Sequence, residues 1–170
     1  MLIRPRRNRN SPFIRDLVAE TNLTPQDFVW PLFVIEGEGL KEEISSLPGV
    51  YRRSIDQILD CLPEAIELGI RAVALFPAVA ESKKDSMATE SLNPEALNQR
   101  CVRAIRENYP ELVVITDVAM DPYSSDGHDG VVREGKILND ESLEVLSQMA
   151  LTQAQAGAQM VACSDMMDGR

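Results

Sequence analysis

The sequence predicts an α/β fold: a parallel sheet of the (β/α) TIM-barrel type, represented by its first four strands and preceded by an extended N-terminal arm. Three observations carry this expectation. Short apolar runs alternate with helical patterns three times before a fourth run, the order that builds a parallel sheet with right-handed crossovers. Polar clusters follow two successive runs, at 117–129 and 164–168, as at the C-terminal mouth of a barrel. No glycine-rich phosphate loop follows any run, which weighs against a doubly wound nucleotide-binding sheet.

Residues 1–30 form the arm: Phe13, Ile14, Leu17 and Val18 recur at helical spacing behind Ser11 and Pro12, an N-cap and first-turn pair, and Thr24 to Asp27 caps another short turn. The barrel portion is residues 31–170. Pro31 to Gly37 is the first core strand, followed by a polar loop to the Pro48-Gly49 turn. Ser54 to Gln57 has the capping-box pattern, and Ile55, Ile58, Leu59, Leu62 and Ile66 continue as a helix that Pro63 interrupts or restarts. Gly69 suits the left-handed position behind it. Arg71 to Pro77 is the second strand, and 80–92 reads as a mobile polar loop. Asn93-Pro94 caps a helix to Asn108 with Leu97, Cys101 and Ile105 on one face. Leu112 to Thr116, apolar and β-branched, is a strand buried on both faces. The loop behind it carries Asp117, Asp121, Asp126, Asp129 and the only histidine, His128. Asn139-Asp140 caps a helix with Leu143, Leu146 and Ala150 as its inner stripe, Gly157 ends it, and Gln159 to Cys163 is the fourth strand.

The chain has 170 residues, 44% hydrophobic and 26% charged, enough for one domain with a substantial core. Its net charge is −10, but residues 1–9 hold four arginines and no acid, leaving 13 basic against 27 acidic residues beyond them, or −14. An acidic body argues against nucleic acid as partner, and a basic arm on such a body suits docking on protein, a second copy included. No apolar run approaches the ~20 residues of a membrane span, and the arginine-rich start lacks the apolar stretch of a secretory signal. Cys61, Cys101 and Cys163 are too far apart for metal-ligand spacing and read as reduced core thiols of a cytoplasmic protein.

Two motifs are specific enough to name a family. DVAMDPYSSDGHDG at 117–130 and SDMMDGR at 164–170 resemble the porphobilinogen synthase family, also called 5-aminolevulinate dehydratase. RPRR at 4–7, PLFVIEG at 31–37, LPGVYRRSID at 47–56, LGIRAVALFP at 68–77 and ILNDESLEVL at 137–146 resemble successive blocks of the same family, so the likeness is colinear and matches its N-terminal half. The resemblance implies a (β/α)8 barrel and an arm that embraces a neighbouring subunit, usually in an octamer. It also implies a lyase that condenses two 5-aminolevulinate molecules to porphobilinogen, with loss of water, in tetrapyrrole biosynthesis. A barrel of this kind has eight strands over ~250 residues. The chain is therefore expected to be its first half, stopping in the loop after the fourth strand.

The resemblance also assigns residues. The family uses two lysines as Schiff-base formers, which must be desolvated or placed beside another cation to present a free amine. Lys41, Lys83, Lys84 and Lys136 all lie in polar loop sequence, so no Schiff-base lysine is expected here and the chain alone is expected to be inactive. Asp117, closing the third strand, is expected to line the substrate site, holding a substrate amino group or handling protons. Asp129 is the second expected catalytic carboxylate, and Ser164 and Asp168 are the expected substrate-binding pair. Ala119, Asp121 and Asp129 stand where some members carry three metal-binding cysteines. Without thiolates, zinc is not expected; Asp121 and Asp129 are the expected oxygen ligands of magnesium. His128 reads as a loop hydrogen-bonder. Asp126 and Cys163 depart from the family, which commonly has histidine and proline there.

Two other readings compete. One is a non-catalytic assembly module in which the arm and half-barrel associate with other subunits. The other is a metal-dependent hydrolase of barrel fold, which a single histidine disfavours.

Overall fold

The computed structural model describes residues 2–170, so the first residue of the arm expected over 1–30 lies outside it. The N-terminal segment forms a 3-10 turn at Arg7–Arg9, helix α1 at Pro12–Leu17 and a second turn at Pro25–Asp27, none of which buries a residue. Ser11 caps α1 as its sequence predicts, its Oγ accepting from the Ile14 N–H at 3.2 Å. Asp27 closes the second turn by accepting from the Thr24 N–H at 2.7 Å. Leu2, Ile3, Phe13 and Leu17 stand exposed.

The chain continues through β1 (Val29–Val34), β2 (Lys41–Glu43), β3 (Tyr51–Arg53), α2 (Ile55–Glu67), β4 (Ala72–Pro77), α3 (Leu97–Asn108) and β5 (Val113–Val118). Then come β6 (Val131–Arg133), β7 (Lys136–Leu138), α4 (Asn139–Gln155) and β8 (Met160–Cys163). One sheet has the order β2-β3-β1-β4-β5-β8, parallel except between β2 and β3, and β6–β7 is a separate antiparallel hairpin. The fold is thus α/β on a mostly parallel sheet. The four expected strands, β1, β4, β5 and β8, are neighbours in chain order, and β3 pairs in parallel with the other edge of β1. β1 starts at Val29 rather than Pro31, because Val29, Trp30 and Pro31 find partners in Ala72, Val73 and Ala74.

Side-chain alternation divides the two faces. Leu32, Val34, Val73, Leu75 and Val114 are buried against Ile58 and Leu62 of α2 and Leu97, Cys101, Val102 and Ile105 of α3. Each such side chain contributes about 1.5–3 kcal/mol when fully buried. The opposite face carries Pro31, Phe33, Ala74, Phe76, Ile115 and Met160, and the Phe33 and Phe76 rings lie 5.5 Å apart there. These residues are only partly covered. β5 is therefore not buried on both faces, as its uninterrupted apolar run predicts.

Pro63 does not interrupt its helix: α2 runs unbroken through it. A proline leaves the carbonyl four residues back without its helical donor. That carbonyl is Leu59's, and the Tyr109 hydroxyl donates to it at 2.9 Å. Tyr109→Phe is accordingly expected to lower stability by about 1 kcal/mol, read as a drop in the urea midpoint at unchanged slope. Ser54 departs from its capping-box reading. It makes no side-chain cap bond to α2; its Oγ accepts from the Leu40 N–H at 2.9 Å and so pins the loop that carries β2.

Further differences follow from packing. Asn93 makes a turn of its own, accepting from the Glu95 N–H, and α3 starts at Leu97. The buried stripe of α4 is Ser142, Val145, Leu146, Met149 and Gln153, rotated from the expected one because Leu143 and Ala150 line an open groove of about 430 Å³ beside Cys163. Only Cys101 is a buried thiol, pushed up to about 12 by desolvation; Cys61 is half-buried and Cys163, on the outermost strand, is exposed. Among the described residues, no helix is long and apolar enough to cross a membrane.

Candidate active site

Val114, Thr116 and Val118 take the helix-covered face of β5, so Asp117 falls on the helix-free face at the C-terminal end of the strand. β8 pairs with β5 in parallel and its chain leaves the sheet at Ser164 on the same side. The Ser164 hydroxyl donates to Asp117 Oδ1 at 2.5 Å. Burial raises the Asp117 carboxyl above the usual range; the Ser164 hydrogen bond opposes that, and the charges of Asp129 and Asp165 add to it.

Asp121 follows within one turn of the strand end. Asp121 is largely exposed, yet partial desolvation of its carboxyl, then a hydrogen-bonding contact with the Asp129 carboxyl and its charge, push it up to about 6, with Asp117 adding further. Two adjoining carboxylates that resist joint ionisation bind either a proton or a cation. Ala119 beside them is buried and carries no donor. Among the described residues, no group of three or more His, Cys, Asp or Glu side chains is gathered to hold a metal. The donor set is a carboxylate pair.

The carboxylate loop rests on its own apolar cluster, in which Val118, Met120, Tyr123 and Val131 pack against Val145, Leu146, Met149 and Met167. Gly130, next to Asp129, has to be glycine: a Cβ there would sit 2.8 Å from Ile137 and 2.9 Å from the Ser142 hydroxyl. That hydroxyl accepts from the Val131 N–H at 2.9 Å, fixing the start of the β6–β7 hairpin. The segment 80–92, expected to be mobile, is instead a structured brace. Asp85 donates through its N–H to the Tyr123 carbonyl and accepts at its carbonyl from the Ser125 N–H. Its carboxylate accepts from the Met87 and Thr89 N–H groups.

The structure thus brings together Asp117, Asp121, Asp129 and Ser164. Asp168 stands apart: its backbone is tied to the Asn139 amide at the start of α4, while its exposed carboxylate meets no partner among the described residues. His128 is half-buried, with Nδ1 lacking a hydrogen-bond partner among the described residues. Met167 is buried and Met166 exposed.

The four lysines lie on short strands or in the 80–92 segment. Lys83 pairs with Glu90 at 2.9 Å and with Glu36, which hold its pKa up; Lys84 pairs with Glu81 at 2.6 Å; Lys41 lies over the Tyr51 ring; and Lys136 is exposed on β7.

Three residues near the site escape sequence reasoning. Asp165 is 3% exposed, its Oδ1 accepting from the Met167 N–H and its Oδ2 lying 3.5 Å from Arg170 Nε. The Tyr123 phenol is buried, which raises its pKa. Gln153 sits fully buried beneath Asp117. Their only signal in the sequence is a polar side chain at an apolar position of a motif or helix.

A model of the family described as delta-aminolevulinic acid dehydratase matches residues 2–170. A delta-aminolevulinic acid dehydratase of Bradyrhizobium diazoefficiens is 48% identical over 170 residues, which are 100% of this chain and 48% of that protein. One from Chlamydia pneumoniae is 46% identical over 167 residues, 98% of this chain and 50% of that protein. The crystal structure of delta-aminolevulinic acid dehydratase (porphobilinogen synthase) from Toxoplasma gondii ME49, in complex with the reaction product porphobilinogen, superposes with a TM-score of 0.96 at 46% identity. It covers 100% of this chain and 49% of the other. The chain spans about half the length of the curated relatives it matches.

Proposed function

The chain belongs to the delta-aminolevulinic acid dehydratase family, and from that premise we propose that it supplies the carboxylate and hydroxyl side of a porphobilinogen synthase site. In this reading its parallel strands are the first four of a (β/α)8 barrel, the helix-free face is the barrel interior, and the reaction condenses two 5-aminolevulinate molecules to porphobilinogen with loss of water. The observation that carries the proposal is the Asp117–Ser164 pair at 2.5 Å, projecting from the ends of adjacent strands on that face. Ser164 occupies Oδ1 and leaves Oδ2 to meet a substrate amino group. A carboxyl raised above its usual range is also better able to exchange a proton with that amine. The amines that form Schiff bases come from outside these 170 residues in this account. The alternative, an assembly module, is favoured only by the lysines' being solvated or paired; the exposed apolar residues of the arm fit a subunit contact in either case.

Asp121 and Asp129 fit magnesium: both are hard oxygen donors, and this ion commonly takes one or two carboxylates and fills its octahedron with water. When bound, such an ion supplies positive charge near a reacting oxygen. The pair has a pH signature. Asp121, raised to about 6, holds its proton in the folded chain where the unfolded chain has already lost it. Its contribution to stability is therefore complete below about 4 and lost as pH rises through about 6. A cation acts in the opposite window, because it needs the ionised pair. Magnesium at 100 times its Kd is thus expected to stabilise the chain at pH 7.5 by about 2.7 kcal/mol, to do much less at pH 5.5, and to do nothing for Asp121→Asn. Thermal melts with and without magnesium at the two pH values check this.

The function itself is tested with a chimera: residues 1–170 followed by the part of the Bradyrhizobium relative that this chain does not match. A colorimetric assay should find porphobilinogen formed from 5-aminolevulinate. A folded chimera without turnover would defeat the reading.

A further inference from the structure

We propose that Gln153 is a positioning residue for Asp117, its buried side-chain amide fixing the peptide that carries the carboxylate. This deepens the functional reading above and rests on Asp117 being the substrate-facing group. Gln153 is fully buried on α4, in a stripe otherwise made of Ser142, Val145, Leu146 and Met149. A leucine or methionine would fill that volume without bringing an amide out of water, which is costly unless the amide is hydrogen-bonded. Both ends of the amide are used. The Thr116 hydroxyl, itself fully buried, donates to Gln153 Oε1 at 2.7 Å, and Gln153 Nε2 donates to the Asp117 carbonyl at 2.7 Å.

The consequence lies in the direction of the two holds. Gln153 grips the Asp117 peptide from the helix side of the sheet, while Ser164 grips the Asp117 carboxylate on the opposite face. With backbone and side chain both fixed, the free Oδ2 has one direction in which to point. Release of the backbone hold lets the strand end shift against Ser164, and misplacement of a reacting group by about 1 Å can cost on the order of 10²-fold in rate.

The test uses the 170-residue chain and reads the Asp117 side-chain carboxyl by ¹³C NMR as a function of pH. Gln153→Leu should raise the Asp117 midpoint by about 0.5 pH unit or more, because the Ser164 hydrogen bond that favours the ionised form is weakened. Thr116→Val breaks the Thr116–Gln153 bond but leaves the donation to the Asp117 carbonyl, so it should titrate as wild type. A residue that merely fills the core would move both variants alike. If Gln153→Leu does not fold, the apolar pair T116V/Q153L takes its place with the same expected shift. An unchanged Asp117 titration on loss of Gln153, or an equal shift in Thr116→Val, overturns the proposal. In the chimera, Gln153→Leu should lower kcat by about tenfold or more and Thr116→Val should not. A wild-type chimera without turnover would count against the functional reading alone, and the titration would still decide the tether.

Discussion

Asp117→Asn in the chimera is expected to lower kcat for porphobilinogen formation by about 10²–10⁴-fold, the span typical of a lost proton-transfer group. Asparagine keeps the shape of the side chain and an oxygen for the Ser164 hydroxyl to reach at 2.5 Å, so the fold and the strand-end contact are retained. What is lost is the negative charge that pairs with an amino group and the carboxyl that exchanges its proton. Ser164→Ala removes the donor that keeps Oδ1 occupied and is expected to cost less, because the carboxylate remains. Asp168→Asn should change kcat by no more than a few-fold, since its side chain meets neither carboxylate nor hydroxyl in the cluster. Steady-state kinetics of the three variants, with melting curves alongside, check the ranking; equal losses for Asp117→Asn and Asp168→Asn would contradict the placement of the site.

Residues 1–170 expressed alone are expected to form no detectable porphobilinogen, and borohydride added with 5-aminolevulinate should leave no specific lysine adduct. The reason is local. Lys83 and Lys84 are engaged in ion pairs, and Lys41 and Lys136 face solvent, so none has the desolvated setting in which a Schiff-base lysine works. Losing a nucleophile from a cooperating set removes catalysis by orders of magnitude even where binding survives. The same polypeptide exposes the outer edge of β8 and leaves half-covered the apolar face bearing Phe33 and Phe76, with Met160 exposed beside them, features that drive association. Light scattering should therefore find oligomers. A trapped adduct on one of the four lysines would contradict the division of the site; a well-behaved monomer would contradict the account of the face.

The parallel core was legible because its strands are continuous apolar runs separated by helical stripes, and this pattern leaves few arrangements. The position of Asp117 and Ser164 was legible for the same reason: each directly ends such a run. The short strands were not. Lys41–Glu43 is wholly polar and Tyr51–Arg53 is three residues long, so each is a strand only because a neighbour pairs with it. The β6–β7 hairpin carried a fair signal in Glu134-Gly135, where both residues have positive φ, but three-residue arms give no alternation to read. Pro63 signals a break that the structure does not have, because the rescuing hydroxyl comes from Tyr109, 46 positions on, and tertiary contacts of that kind leave no local trace. The brace at 80–92 was misread for a related reason: Asp85 looks like a solvated charge until its backbone meets Tyr123 and Ser125. Within the site, carboxylates on loops are visible in a sequence, whereas the buried Gln153 that holds one of them is hidden in a helix stripe.

In the proposed function, Asp117 and Ser164 together face the substrate. The most direct measurement is a crystal structure of the chimera with porphobilinogen bound. The amino group of the product is expected within hydrogen-bonding distance of Asp117 Oδ2, with Ser164 still donating to Oδ1 and Asp168 out of reach. Product bound elsewhere, or bound with Asp117 turned away from it, would rule out Asp117 and Ser164 as the substrate-facing pair.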